Sequence, residues 1–199
     1  MADRRGYSAD DITVFGFPEA VFRRPGMFFG VGLGHPDLAT RVLTRVLGHS
    51  LHPAAAVGPP HTARAHAEVR GDFEFAVTDD LADRSDLGYH GTLLGPSRLD
   101  AALAAALSTR TTVEVWRDGR GRRQELHGLR PASAVEEFAA PPGTGTRVEV
   151  ELDPAHFGGP LGGIDALDLH GEWCADTGGP GRVLVRDLRG ANPVEHRYT

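Results

Sequence analysis

Two neighbouring stretches of the chain alternate apolar and polar side chains, and that alternation limits its fold more than any other feature. Ala63, Ala65, Ala67 and Val69 interleave with Arg64, His66, Glu68 and Arg70; after Gly71-Asp72, Phe73, Phe75 and Val77 interleave with Glu74 and Ala76. Successive side chains on a strand point to opposite faces, so the pattern predicts an antiparallel hairpin over 63–70 and 73–78 with one face buried. Something else in the chain must cover that face.

The stretch 37–51, DLATRVLTRVLGHSL, can do so. Leu38, Val42, Leu43, Val46, Leu47 and Leu51 recur at steps of one, three and four, which places them on one side of a helix, with Asp37 as N-cap and Pro53 beyond its end. Arg45 and His49 fall four residues apart on the opposite flank and are therefore neighbours. A second helix is expected over 96–107, with Leu99, Ala102, Leu103, Ala106 and Leu107 inward, and a short one from Pro18 to about Arg24, broken by Pro25-Gly26. Further strands are expected over 111–117, 124–129, 147–152 and 182–188, the first two joined through Asp118-Gly119, and a short helix over 167–174. Loops or linkers fill 81–96, 131–142 and 154–163, and a Pro/Ala/Gly linker follows Pro53. The sum is an α+β two-layer sandwich: a mainly antiparallel mixed sheet covered on one face by helices.

A chain of 199 residues can bury its own core, and one domain over 12–199 is expected behind a polar, flexible segment over 1–11. The net charge is -6 and every one of the 21 basic residues is arginine. A mildly acidic chain is a poor non-specific binder of nucleic acid, and with no lysine it forms no Schiff base. Cys174 is the single cysteine, so no intrachain disulfide or paired-cysteine metal site forms. No apolar run is long enough to span a bilayer and the start lacks an apolar signal core, so no membrane contact and a cytoplasmic location are expected.

Three features could carry chemistry. Thr78-Asp79-Asp80 delivers acids to a strand end, where they either line a site or cap a turn. Gly30, Gly32 and Gly34 lack the spacing of a phosphate-binding loop and read as a connector. His49 and His52 would need further ligands, not evident in the sequence, to hold a metal.

Taken in order, several pieces resemble the N-terminal ATPase domain of gyrase B and type II topoisomerases, of the Bergerat-fold superfamily. ITVFGFPEAVFRRPGMFFG is similar to the family's strand, short helix and basic-basic-Pro-Gly-Met segment; RVLGHSL lies at its Glu-x-x-x-Asn helix motif; FAVTDD resembles the strand ending in the adenine-binding aspartate. LDAALAAALSTRTTVEVWRDGR, RQELHG, PPGTGTRVEVEL and GPGRVLVRDLRG resemble the elements that follow, so the likeness runs from about Ile12 to about Arg189 and stops where a transducer domain would begin.

The resemblance implies that Asp79 matches the acceptor of the adenine amino group, Thr146 the threonine supporting that contact, and Arg117 an arginine at the pocket rim. Arg45 stands at the position of the general-base glutamate and His49 at that of the magnesium-binding asparagine. A guanidinium accepts no proton from water, and magnesium prefers oxygen donors. Leu81-Ala82 replaces a glycine pair, the lid is shortened to LGYHGTLLGP, and the transducer's lysine is missing. The expected protein is a catalytically inactive, gyrase-B-like module that binds a ligand or a protein partner, with residual weak ATP or ADP binding at most and no magnesium. The pocket residues are Asp79, Thr146, Arg117, Arg45 and His49, and a homodimer is compatible with this reading. The alternative is an enzyme with repurposed chemistry in which His49 and His90 act as acid-base groups.

Overall fold

The computed structural model describes residues 15–51, 64–82, 88–169 and 183–198. The covering helix forms as its periodicity predicts. Leu38–Leu51 is helical (α3 in chain order), the Arg41 amide bonds the Asp37 carbonyl at 3.0 Å, and Leu38, Ala39, Val42, Leu43, Val46 and Leu47 are buried. At about 1.5–3 kcal/mol for each fully buried Val or Leu, this apolar stripe anchors the helix layer. Before it come α1 (Phe17–Arg23) and α2 (Pro25–Phe29). Pro25 does end α1, as expected, but it also opens α2, because a proline at the first helical position loses no hydrogen bond. Gly30 closes α2 at φ 73, a conformation that favours glycine.

The predicted hairpin is β1 (Ala65–Gly71) and β2 (Glu74–Asp79), followed after an intervening loop by α4 (Leu99–Ala106). The remaining strands are β3 (Ser108–Arg117), β4 (Arg120–His127), β5 (Arg130–Pro131), β6 (Glu136–Ala139), β7 (Thr144–Leu152), β8 (Val183–Asp187) and β9 (Val194–Tyr198). They form one sheet in the order β5-β4-β3-β7-β2-β1-β8-β9, with β6 also on β4. All its pairings are antiparallel except β1 with β8. This is the expected α+β sandwich, helices against one face of a mainly antiparallel mixed sheet.

Several details differ from the sequence expectation. Strand β4 begins at Arg120, earlier than expected, because Asp118 and Gly119 (φ 49 and 85) make a tight turn that brings Arg117 opposite Arg120. The stretch 131–142 is not simply a linker, since β6 pairs with β4 within it, and Phe138 covers Gly121, where a Cβ would sit 2.3 Å from its ring. Leu99 is exposed rather than inward, and Asp100 through Ala106 are all buried, so beyond its first residue α4 is enclosed on every side instead of carrying a single apolar stripe. Ala76, on the outer sheet face, is buried as well. Residues 167–169 are not helical; the rest of that expected helix, the 1–11 segment, the linker after Pro53 and His52 lie outside the described residues. Strand β9 has no counterpart in the sequence expectation. Among the described residues no helix is long and apolar enough to cross a membrane.

Candidate functional site

Strand β2 ends at Asp79, which pairs in register with Thr146 of β7, so the sheet itself brings together the two residues that the sequence singles out. Both are buried. Among the described residues the carboxylate is enclosed rather than open to solvent. Arg98, just before α4, reaches it with two guanidinium nitrogens: Nη2 donates to Oδ1 at 2.9 Å and Nη1 donates to Oδ2. The amide of Leu81 also donates to Oδ1, at 2.9 Å. The Leu81 carbonyl accepts from Arg98 Nη2 at 2.9 Å and from Thr146 Oγ1 at 2.6 Å. Both side chains of the ion pair are almost wholly withdrawn from solvent, with 4% of Arg98 and 2% of Asp79 exposed. A forked guanidinium thus holds the acceptor that the resemblance assigns to an adenine amino group.

The neighbouring residues tighten this closure. Thr144 Oγ1 donates to the Asp80 carbonyl at 2.8 Å, and the exposed Arg117 donates to the Ala82 carbonyl at 3.3 Å, so residues 80–82 are tied down as they leave β2. The segment over 88–96 is equally pinned. Leu93 and Leu94 are buried, the Leu93 amide donates to Gln124 Oε1 at 3.0 Å, and Tyr89 stacks on Phe17 with ring centroids 5.4 Å apart. Those contacts lead directly into Arg98. Arg45 projects from α3 to Asp100, in the first turn of α4, with Nε 3.3 Å from Oδ1. It therefore lies next to the arm that carries Arg98. His49 falls in α3, and its side chain lies outside the described residues. His90 is exposed, at φ 52, with its ring 6.4 Å from that of Phe17.

Asp79, Thr146 and Arg117 thus converge on the strand exit at Leu81-Ala82, while Arg45 marks the adjoining helix ends. The sequence motifs do not single out Arg98, although a signal for it exists. It is a cation immediately before an apolar helix, where the helix dipole disfavours positive charge, so it needs an acid to hold it. Among the described residues, no group of three or more His, Cys, Asp or Glu side chains is placed to hold a metal ion.

The sheet's outer face carries a second polar assembly. Glu68, Arg70, Glu149 and Arg147 close a ring of ion pairs: Arg70 to Glu68 at 2.7 Å and to Glu149 at 3.3 Å, Arg147 to Glu149 at 2.8 Å and to Glu68 at 3.6 Å. It lies over Ala76, which the register places between Glu68 and Glu149. Burial pushes up the pKa of Glu68, but hydrogen bonding and charge from Arg70, with Arg147 adding, outweigh it and hold the carboxyl below its ordinary value. Glu149 is also raised by burial and lowered further, by Arg147 and Arg70, to a net decrease. Beside the ring lies an open groove of about 540 Å³, whose lining arginines, 110, 123 and 147, face the glutamates 114, 125, 136 and 149. Three arginines against four glutamates leave a lining with no strong positive field for a phosphate or a nucleic acid.

Comparison of the sequence with protein-family models and with characterised proteins returned no match.

Proposed function

We propose that this protein is a non-catalytic, gyrase-B-like module that binds a ligand or a protein partner, with its nucleotide-type pocket closed by its own arginine. The observation carrying this reading is the Arg98 fork on Asp79. A purine amino group would have to displace two charge-assisted hydrogen bonds, each contributing about 1.5–3 kcal/mol, to gain one of the same kind, and would leave the Arg98 guanidinium buried without its partner, so it competes poorly with a guanidinium already in place. Arg45, at the position matching the family's base, is engaged with Asp100 and has no proton-accepting capacity. Adenine nucleotide binding is therefore weak, little dependent on magnesium, and little tighter for ATP than for ADP.

Two measurements test the proposal. Steady-state phosphate release should stay at background, and Arg45→Glu with His49→Asn should not restore it, because Arg98 still holds Asp79. Calorimetric titration with ATP and ADP, with and without magnesium, should give little heat. Magnesium-dependent turnover that Asp79→Asn abolishes would overturn the proposal, as would a strong magnesium-dependent preference for ATP.

A further inference from the structure

The sheet's two margins are built differently. At one margin the outer side of β4 is covered by short pieces: β5 has two residues and includes Pro131, which has no amide hydrogen, and β6 has four, with Glu136 and Glu137 side by side. Short length, proline and like charge all discourage further strand pairing. The opposite margin is β9, five residues with no internal proline, paired with β8 in unbroken antiparallel register. Among the described residues no strand pairs with its other side. It is also held firmly in place. The Tyr198 hydroxyl donates to the Ile164 carbonyl at 2.6 Å and accepts from the Leu167 amide at 2.8 Å, and Glu195 pairs with Arg186 of β8 at 3.1 Å.

We infer that β9 is a self-pairing edge through which two copies of this chain join antiparallel about a two-fold axis at His196, making one continuous sheet. The charges select this register. Strands paired about a two-fold axis normal to the sheet must centre on a residue, and centring on His196 sets Glu195 opposite Arg197 and Val194 opposite Tyr198 of the second copy, twice over. Centring on Glu195 or on Arg197 instead sets like charges face to face and shortens the overlap. Val194, 59% exposed and on the same face as Tyr198, gains apolar cover in this arrangement. A two-fold axis on a residue satisfies the ladder whether that residue's own backbone groups point outward or its neighbours' do, so hydrogen bonding permits the pairing in either phase. The contact is small, which makes it a reversible dimer in the micromolar range rather than a permanent one. It stands independently of the Asp79 pocket.

Sedimentation equilibrium of the full chain, combined with charge reversal, tests the pairing. The wild type should show a concentration-dependent dimer. Either Glu195→Arg or Arg197→Glu alone should weaken it roughly 30-fold, because each replaces two attractive cross-strand pairs with repulsive ones, and the two changes together should restore it. Arg197→Glu leaves the Glu195 contact to Arg186 in place, which guards against a folding defect, and circular dichroism should be unchanged. In a Cys174→Ser background, His196→Cys should form an interchain disulfide on mild oxidation, since opposed residues bring their Cα atoms about 4.5–5.5 Å apart, whereas Glu195→Cys should not. A monomeric wild type at all concentrations would overturn the inference and leave the edge to a strand of another protein. A double reversal that fails to restore the dimer, or cross-linking at position 195 rather than 196, would overturn it too.

Discussion

Arg98 is held against the positive end of α4 by Asp79, and neither partner has water to fall back on. Arg98→Ala should therefore lower unfolding stability by about 3–5 kcal/mol, because it leaves a buried carboxylate uncompensated. Replacing both partners, as Asp79→Leu with Arg98→Met, should lower it far less, since apolar groups of similar volume need no desolvated charge. Urea unfolding of the two variants separates these outcomes; an equal loss in both would mean that the pair acts through packing and not through charge. His66 makes a second test at this scale. Burial lowers its pKa, Glu68 raises it in part, and Arg186 and Arg147 lower it further, to a value below 6.5. Its neutral form is thus favoured in the folded state, so its contribution to stability is present above pH 6.5 and is lost as pH falls through the depressed value. NMR titration of the imidazole should place its midpoint below the ordinary one, and a midpoint above it would reverse the sign.

Single elements follow local rules that close contacts then sharpen. Trp116 of β3 lies opposite Gly145 of β7, and a Cβ on Gly145 would sit 2.1 Å from the indole. Gly145→Ala should displace the ring and cost about 1–3 kcal/mol, the range for overpacking, with a shift in tryptophan emission as the readout. Leu47→Ala, on the buried stripe of α3, should cost about 2–5 kcal/mol by leaving a cavity between helix and sheet; a smaller loss in denaturant titration would mean that the layer relaxes around it. These elements also show what the sequence could disclose. Helix α3 and the β1–β2 hairpin were legible because each has one apolar face and one polar face. Strand β9 was not, because Val-Glu-His-Arg-Tyr offers only two large apolar residues, and its place is fixed by β8 and by the Tyr198 hydroxyl. The enclosure of α4 was equally hidden: alanine reads the same on a half-buried helix as on one packed on every side. Asp79 and Thr146, named from the resemblance, do pair in register, but the enclosure of Asp79 could not be read from the chain, since it depends on an arginine that is remote in sequence and adjacent only in the fold.

At the scale of the molecule, the helices cover one face of the sheet, and among the described residues the other face is covered by its own side chains. It does so with charge. The Glu68, Arg70, Glu149 and Arg147 ring spans β1 and β7 across β2, which contributes the buried Ala76 beneath it and Thr78, whose hydroxyl accepts from Arg147 at 3.1 Å. At the far end of β8 the Asp187 carboxyl is held down by hydrogen bonds from Arg189, which also reaches the Gly162 carbonyl and so ties the sheet to the loop that skirts it. These carboxyls have folded-state pKa values below their unfolded ones, so the unfolded chain binds more protons as the solution is acidified. Their stabilisation is complete above about pH 4.5, the ordinary glutamate value, and is lost as pH falls through the depressed values. Unfolding midpoints measured in urea should therefore be nearly flat from pH 7 to 5 as far as these groups are concerned, and fall below that, His66 adding a shallower decline near neutrality. Glu149→Gln should flatten the acid limb while lowering stability at pH 7, because it removes both the proton uptake and the attraction to two arginines. Because the ring is partly exposed, added salt should reduce the difference between wild type and variant. An acid limb unchanged by Glu149→Gln would show that the ring contributes nothing to the pH dependence and that acid unfolding starts elsewhere.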